Sequence, residues 1–322
     1  MLGKMSWIRF IPQYKERVWG GRNLETFLDR SLPGGKVIGE SWEIVDRPEA
    51  QSVLDSSDYV EQTLRELIEE KTLYVMGPDW RAEDRFPILV KWLDCQERLS
   101  LQVHPPAEIA SELNGEPKTE NWYIARSVPG AGLLAGLVRG TTRERFEQAL
   151  KDLTLESCVH RIPVSAGDSL LVRSGRIHAI DAGNMILEIQ QNSDTTYRVY
   201  DWGRLGLDGK PREMHVAESM KSIDFKDFEP DVLRKAPGSY LLAECREFRI
   251  QKYVFEGPED VLHFGANTDT RLLHVIDGIV EDMVSGKSAI KGTNLLMPYG
   301  AEYRLCSPEG AEFLITDQFR AR

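Results

Sequence analysis

Residues 98–105 read Arg-Leu-Ser-Leu-Gln-Val-His-Pro. In an extended segment alternate side chains point to opposite faces, so Leu99, Leu101 and Val103 fall on one face and Ser100, Gln102 and His104 on the other. An apolar face for a core and a polar face with an amide and an imidazole predict a barrel whose interior is a site. A single strand histidine equally describes a hydrogen-bonded structural residue, so the surrounding sequence has to decide.

Short strands with Gly and Pro turns extend outward from this segment in both directions. Residues 87–94, 99–104, 122–126, 169–172, 185–190 and 195–201 read as strands, and 248–255, 272–276, 294–297, 303–306 and 312–316 repeat the pattern. Helical signals are few. Thr63-Leu-Arg-Glu66 and Thr141-Thr-Arg-Glu144 read as capping boxes, the first backed by Leu67 and Ile68 and the second by Phe146 and Leu150. Pro106 suits a first helical position, with Ile109 and Leu113 on one face and Gly115 as the stop, and Val216, Met220 and Ile223 mark one more helix. This distribution predicts a mainly β protein of sandwiches or barrels. The acidic, Pro-containing stretch 225–238 is the expected linker, dividing the chain into a larger mixed domain, 1–230, and a smaller all-β domain, 231–322.

Composition narrows the function. The 322 residues are 41% hydrophobic and 28% charged, enough apolar material for a sizeable core. The formal charge of −11 argues against a nucleic-acid partner, which needs a basic surface. It does not argue against a small phosphorylated ligand, for which a few Lys and Arg suffice. The four cysteines, at 95, 158, 245 and 306, form no Cys-x-x-Cys pair and read as reduced thiols. No segment has the apolar length of a membrane span or of a leader, so a cytoplasmic protein with no membrane partner is expected.

Three further segments bear chemistry. Lys118-Thr-Glu120 places a cation and a carboxylate on one face of an extended stretch, which also describes a solvated pair. Ser174-Gly-Arg-Ile-His178 sets a histidine just after a tight turn. Residues 187–204 read Leu-Glu-Ile-Gln-Gln-Asn-Ser-Asp-Thr-Thr-Tyr-Arg-Val-Tyr-Asp-Trp-Gly-Arg, with Asp194, Thr196, Arg198 and Tyr200 on one face by alternation. Such a polar run is costly to bury without partners, so it lines a cavity or forms an exposed edge. His104, Glu120 and His178, with Gln102 as a neutral fourth donor, suit zinc but also iron, manganese or nickel. His160 has no place in this set, and His263 and His274 in the second domain have no partners that would complete one.

Gln-Val-His-Pro, Lys-Thr-Glu-x-Trp-Tyr and the long polar run resemble the short bacterial type I phosphomannose isomerases, as do Tyr14-Lys-Glu-Arg-Val-Trp-Gly-Gly21 and Gly39-Glu-Ser-Trp-Glu43. The resemblance is strong over about residues 7–205. It implies a double cupin with a small helical insertion, the first cupin catalytic and metal-binding, the second without metal. It implies one zinc per chain on Gln102, His104, Glu120 and His178, with Ser100, Lys118, Asp194 and Arg198 at the substrate site. The sequence departs from the family pattern at Pro106 and at Asp181, changes expected to affect the mouth of the site.

The implied reaction moves a proton between C1 and C2 of mannose 6-phosphate and fructose 6-phosphate. Arg198 or Lys118 would stabilise the enediolate, Lys118, Asp194 or a zinc-bound water would carry the proton, and Ser100 with a cationic residue would hold the phosphate. Two other readings compete: an iron-dependent cupin oxygenase, since two His and a carboxylate also describe an iron triad, and a non-catalytic sugar-binding or regulatory cupin.

Overall fold

The computed structural model describes residues 6–57 and 61–319. The molecule is mainly β, with antiparallel sheets arranged as cupin barrels and a few short helices. It divides into two compact units, each gathered from separate stretches of chain. One takes the described residues of Met1–Gln13, Trp42–Val90 and Ala236–Arg322, and the other takes Tyr14–Ser41 and Lys91–Lys235.

This corrects the expected continuous division at 230/231. The later boundary lies near its expected place, but two early segments join the C-terminal part. Ile8–Arg9 pairs with Asn294–Met297, Ile8 opposite Leu296, and Trp7 packs in one core with Leu295, Tyr303 and Phe313. Thr270 Oγ1 donates to Val75 O at 2.8 Å. Backbone pairing and apolar burial select partners by proximity in space, which linker composition does not announce. The sheet of this unit runs in the order 8–9, 294–297, 271–282, 311–317, 249–255, 240–244.

The other unit is built on two sheets. Five strands lie in the order 159–163, 132–137, 178–180, 101–103, 197–200, and six in the order 169–172, 120–127, 184–191, 88–95, 38–44, 13–21. Side chains from both sheets, among them Leu93, Trp122, Leu133 and Ile180, meet in one buried cluster. Leu101, Val103, Tyr197 and Val199 join Phe146 and Ile223 in a second cluster. Leu99 leaves the face it was expected to share with Leu101 and Val103. It precedes the paired segment and packs with Trp19 and Trp122 instead.

The helices follow their caps. Thr63 and Glu66 form the expected capping box for Leu64–Val75. The cap of Arg143–Lys151 is Thr142 rather than Thr141, and the third helical residue is then Arg145, so the box is not formed. Pro106 is the cap of a single turn, Ala107–Ala110, rather than its first residue. Val216–Ser222 is helical as expected, and Asn23–Leu28 is a short helix that carried no clear periodicity.

Candidate metal centre and its cavity

Register assembles the site. His178 lies directly opposite Gln102 on one flank of the 101–103 strand, and Arg198 lies opposite Gln102 on the other. Glu120 comes from the facing sheet, where it pairs with Val172 and Gln190. Gly175, at φ +89°, makes the tight turn that delivers His178 to its strand, a conformation that favours glycine.

His104, Glu120 and His178 are fully buried, and their ligating atoms lie within 4.8 Å of one another. Each imidazole hydrogen-bonds a backbone carbonyl through Nδ1, His104 to Thr195 O and His178 to Arg176 O, both at 2.8 Å. A carbonyl only accepts, so Nδ1 carries the proton and Nε2 presents a lone pair. The two Nε2 atoms stand 3.4 and 3.5 Å from the Glu120 oxygens. Among the described residues, neither carboxylate oxygen accepts a hydrogen bond of ordinary geometry, although Lys118 forms an ion pair with Oε2. Gln102 Nε2 lies 3.2 Å from His178 Nε2. Two imidazole lone pairs and a carboxylate converging in a buried space fit a cation, and carbonyl-oriented imidazoles are the usual outer support of metal-bound histidine.

Charge around the set is dense. Lys118 Nζ lies 2.7 Å from Glu120 Oε2, 3.3 Å from His104 Nε2 and 3.9 Å from Glu188. Burial disfavours the Lys118 ammonium, but Glu120 and Glu188 outweigh it and raise its pKa. Burial, then the Lys118 charge, pushes His104 down to about 3, and burial also lowers His178. Burial works to raise Glu120, but Lys118 and the imidazoles hold it well below the usual carboxylate range. All of these directions keep the donor set neutral at the histidines and anionic at the carboxylate.

Above the set opens a cavity of about 580 Å³, lined by Ser100, Gln102, Lys118, Asp194, Thr196 and Arg198 among others. All the expected substrate-site residues therefore come together. Alternation holds for Asp194, Thr196 and Arg198 and fails at Tyr200. The register shifts between Arg198 and Tyr200, and Tyr200 packs edge-on to Trp202 instead. Pro106 and Asp181 are not among the residues that line the cavity. Asp181 is a buried node that accepts from Arg98 Nε at 2.6 Å and Arg161 Nε at 2.7 Å. His160 stands apart from the set, on Val159–Pro163.

Four residues of this wall were not singled out in the sequence. Glu188 accepts from Trp122 Nε1 at 2.9 Å and faces Lys91 at 3.5 Å. Arg17 forks onto Glu40 through Nε and Nη2, at 2.9 and 3.0 Å, beside Gly39, where a Cβ would stand 2.5 Å from Arg17 Cβ. Lys91 and Glu188 did carry a signal: each is a lone charge inside an apolar strand, Ile-Leu-Val-Lys-Trp-Leu and Met-Ile-Leu-Glu-Ile. A buried charge needs a partner, so two such strands imply each other.

Barrel and donor set together define a cupin with a metal-binding group. The model of the phosphomannose isomerase type I catalytic domain matches residues 7–128. Mannose-6-phosphate isomerase ManA of Bacillus subtilis is 36% identical over 307 residues, 92% of this chain and 94% of that protein. The crystal structure of the mannose 6-phosphate isomerase from Bacillus subtilis superposes with a TM-score of 0.85 at 29% identity, covering 97% of this chain and 99% of the other. That of the Salmonella typhimurium enzyme, at 14% identity and covering 98% and 100%, shares the fold with a TM-score of 0.74. This chain belongs to the type I phosphomannose isomerase family.

Proposed function

We propose that this chain interconverts mannose 6-phosphate and fructose 6-phosphate, with one zinc ion held by Gln102, His104, Glu120 and His178. The observation that carries the reading is the buried His–Glu–His set beneath a cavity lined by Ser100, Lys118, Asp194 and Arg198. The unit of residues 14–41 and 91–235 is the catalytic one in this reading, and the other holds no metal. The ligand is a small sugar phosphate, with neither nucleic acid nor membrane as partner. No helix of the described chain is long and apolar enough to cross a membrane, and four free cysteines support a reducing, cytoplasmic setting.

The difficult step is removal of a proton next to a carbonyl, which builds charge on oxygen. Zinc, when bound, supplies Lewis-acid polarisation of the sugar's carbonyl and neighbouring hydroxyl. Lys118 brings a fixed positive charge to the same end of the cavity, placed to donate to a developing oxyanion. Arg198, opposite Gln102, adds a guanidinium there. Its Nη1 donates to Glu213 O at 2.6 Å, and its buried Nε has no hydrogen-bond partner among the described residues. Asp194, a carboxylate at the cavity wall, is the group able to accept and return the proton.

A coupled assay with mannose 6-phosphate, before and after chelation, tests the reading. Turnover lost on chelation and restored by zinc is the expected result. Oxygen-dependent turnover with iron, or binding of the sugar phosphate without isomerisation, would replace it with one of the two competing cupin functions.

A further inference from the structure

Away from the His–Glu–His set, the cavity carries a second concentration of charge. Tyr200 stands opposite Leu101, and Asp201 follows it at the end of that pairing. Asp201 is 6% exposed and serves two guanidiniums: Arg204 Nη2 donates to Oδ1 at 2.7 Å, and Arg212 forks onto it, Nε to Oδ2 at 2.6 Å and Nη2 to Oδ1. Arg204 also lies 3.6 Å from the exposed Glu97 and donates through Nη1 to Arg98 O at 2.6 Å. Arg198, opposite Gln102, is within electrostatic reach of Asp201, Arg204 and Arg212. Burial, then the charge of Arg212, lowers its pKa. Three guanidiniums are thus within reach of the buried Asp201, with the exposed Glu97 beside Arg204 and Glu213 near Arg198.

Arg212 is the member that faces the cavity with donors to spare. It lines the space together with Ser100 and Arg198. Among the described residues its Nη1 makes no hydrogen bond, while Asp201 fixes the opposite edge of the fork. The turn that bears it is closed by Gly206 N donating to Lys210 O at 2.7 Å and by a bridge between Leu205 and Pro211. Asp208, which also borders the cavity, accepts from Lys210 N at 3.0 Å within that turn.

We propose that Arg212, positioned by Asp201 and lining the same cavity as Ser100, holds the phosphate group of the substrate. The proposal rests on the sugar-phosphate reading above and adds the subsite. Its geometry suits that chemistry. Gln102 marks the metal end and Ser100 lies two residues away, roughly 6.6 Å along an extended strand. An open-chain hexose separates C1 and C2 from a phosphate on C6 by a comparable length. A planar fork matches phosphate oxygens in pairs, and a carboxylate holding its back edge spares the ligand the cost of ordering it.

The test compares wild type, Arg212→Ala, Arg212→Lys and Asp201→Asn in two measurements: calorimetric binding of inorganic phosphate, and the KM and kcat for mannose 6-phosphate. Arg212→Ala is expected to weaken phosphate and raise KM on the order of tenfold to a hundredfold, with kcat changing less. Arg212→Lys should recover part, and Asp201→Asn should raise KM with Arg212 still in place. Wild-type values of both phosphate affinity and KM in Arg212→Ala would overturn the proposal, as would a wild type that binds no phosphate. Should Arg212→Ala fail to fold, the Lys and Asn variants decide on the same readouts. Wild type that binds phosphate yet leaves mannose 6-phosphate unchanged would overturn the reading of the reaction, and the binding comparison would still decide the subsite.

Discussion

His178 and Gln102 are direct antiparallel partners, and their side-chain nitrogens stand 3.2 Å apart. One register point thus joins a turn-flanking histidine to the Gln-Val-His strand, and Glu120 closes the set from the opposite sheet. His178→Ala is expected to lose the metal and the activity together, because removing one donor leaves a buried carboxylate and imidazole without their cation. His160→Ala should retain both. Elemental analysis alongside the coupled assay checks the pair. Two metals per chain in the wild type, or equal losses in the two variants, would show that the wrong donor set had been chosen.

Arg198→Ala separates charge stabilisation from metal binding. It is expected to keep its zinc and its fold and to lower kcat on the order of a hundredfold, more than it raises KM. Arg198→Lys should recover only part of this, since a point charge does not reproduce a planar fork. Steady-state kinetics with metal content measured on the same samples decides. Turnover like wild type would return Arg198 to the role of a solvated residue.

His274, in the unit that does not carry the donor set, offers a pH test. It is buried between Asn294 Oδ1, at 2.7 Å, and Thr316 Oγ1, at 2.9 Å, and burial lowers its pKa to about 4. In the unfolded chain a histidine titrates near 6.5, so between about 6.5 and 4 the unfolded state binds more protons. Stability from this residue is therefore complete above pH 6.5, declines as the pH falls, and is fully lost below about 4. The total is about 3 kcal/mol. Urea unfolding across this range should show a shallower pH dependence in His274→Gln than in wild type, and identical slopes would refute the assignment.

Asp181 tests the corrected view of the site's mouth. It binds two arginines and does not border the cavity, so Asp181→Asn should lower stability by about 1 kcal/mol while leaving kcat, KM and sugar preference unchanged. Both arginine partners are partly exposed, which keeps the effect small. A changed preference among sugar phosphates would place Asp181 back at the mouth.

The sequence by itself determined the elements and the donor types. Period-two alternation around Gln102, a capping box at Thr63 and short strands between Gly and Pro turns specify a mainly β chain, because these preferences act over a few residues. The motifs carrying His104, Glu120 and His178 were legible for the same reason, and the resemblance they support fixed the family. Tertiary structure alone decided how those elements combine. It sent residues 42–90 to the C-terminal unit, turned Tyr200 out of the cavity through a single register shift, moved Leu99 to another core, and made Asp181 an ion-pair node. It also brought Lys91 to Glu188, Arg17 to Glu40 and Arg212 to Asp201. Each of these outcomes depends on contacts between residues far apart in the chain, and the free energy of burying a charge or an apolar face is set by the partner it finds in space.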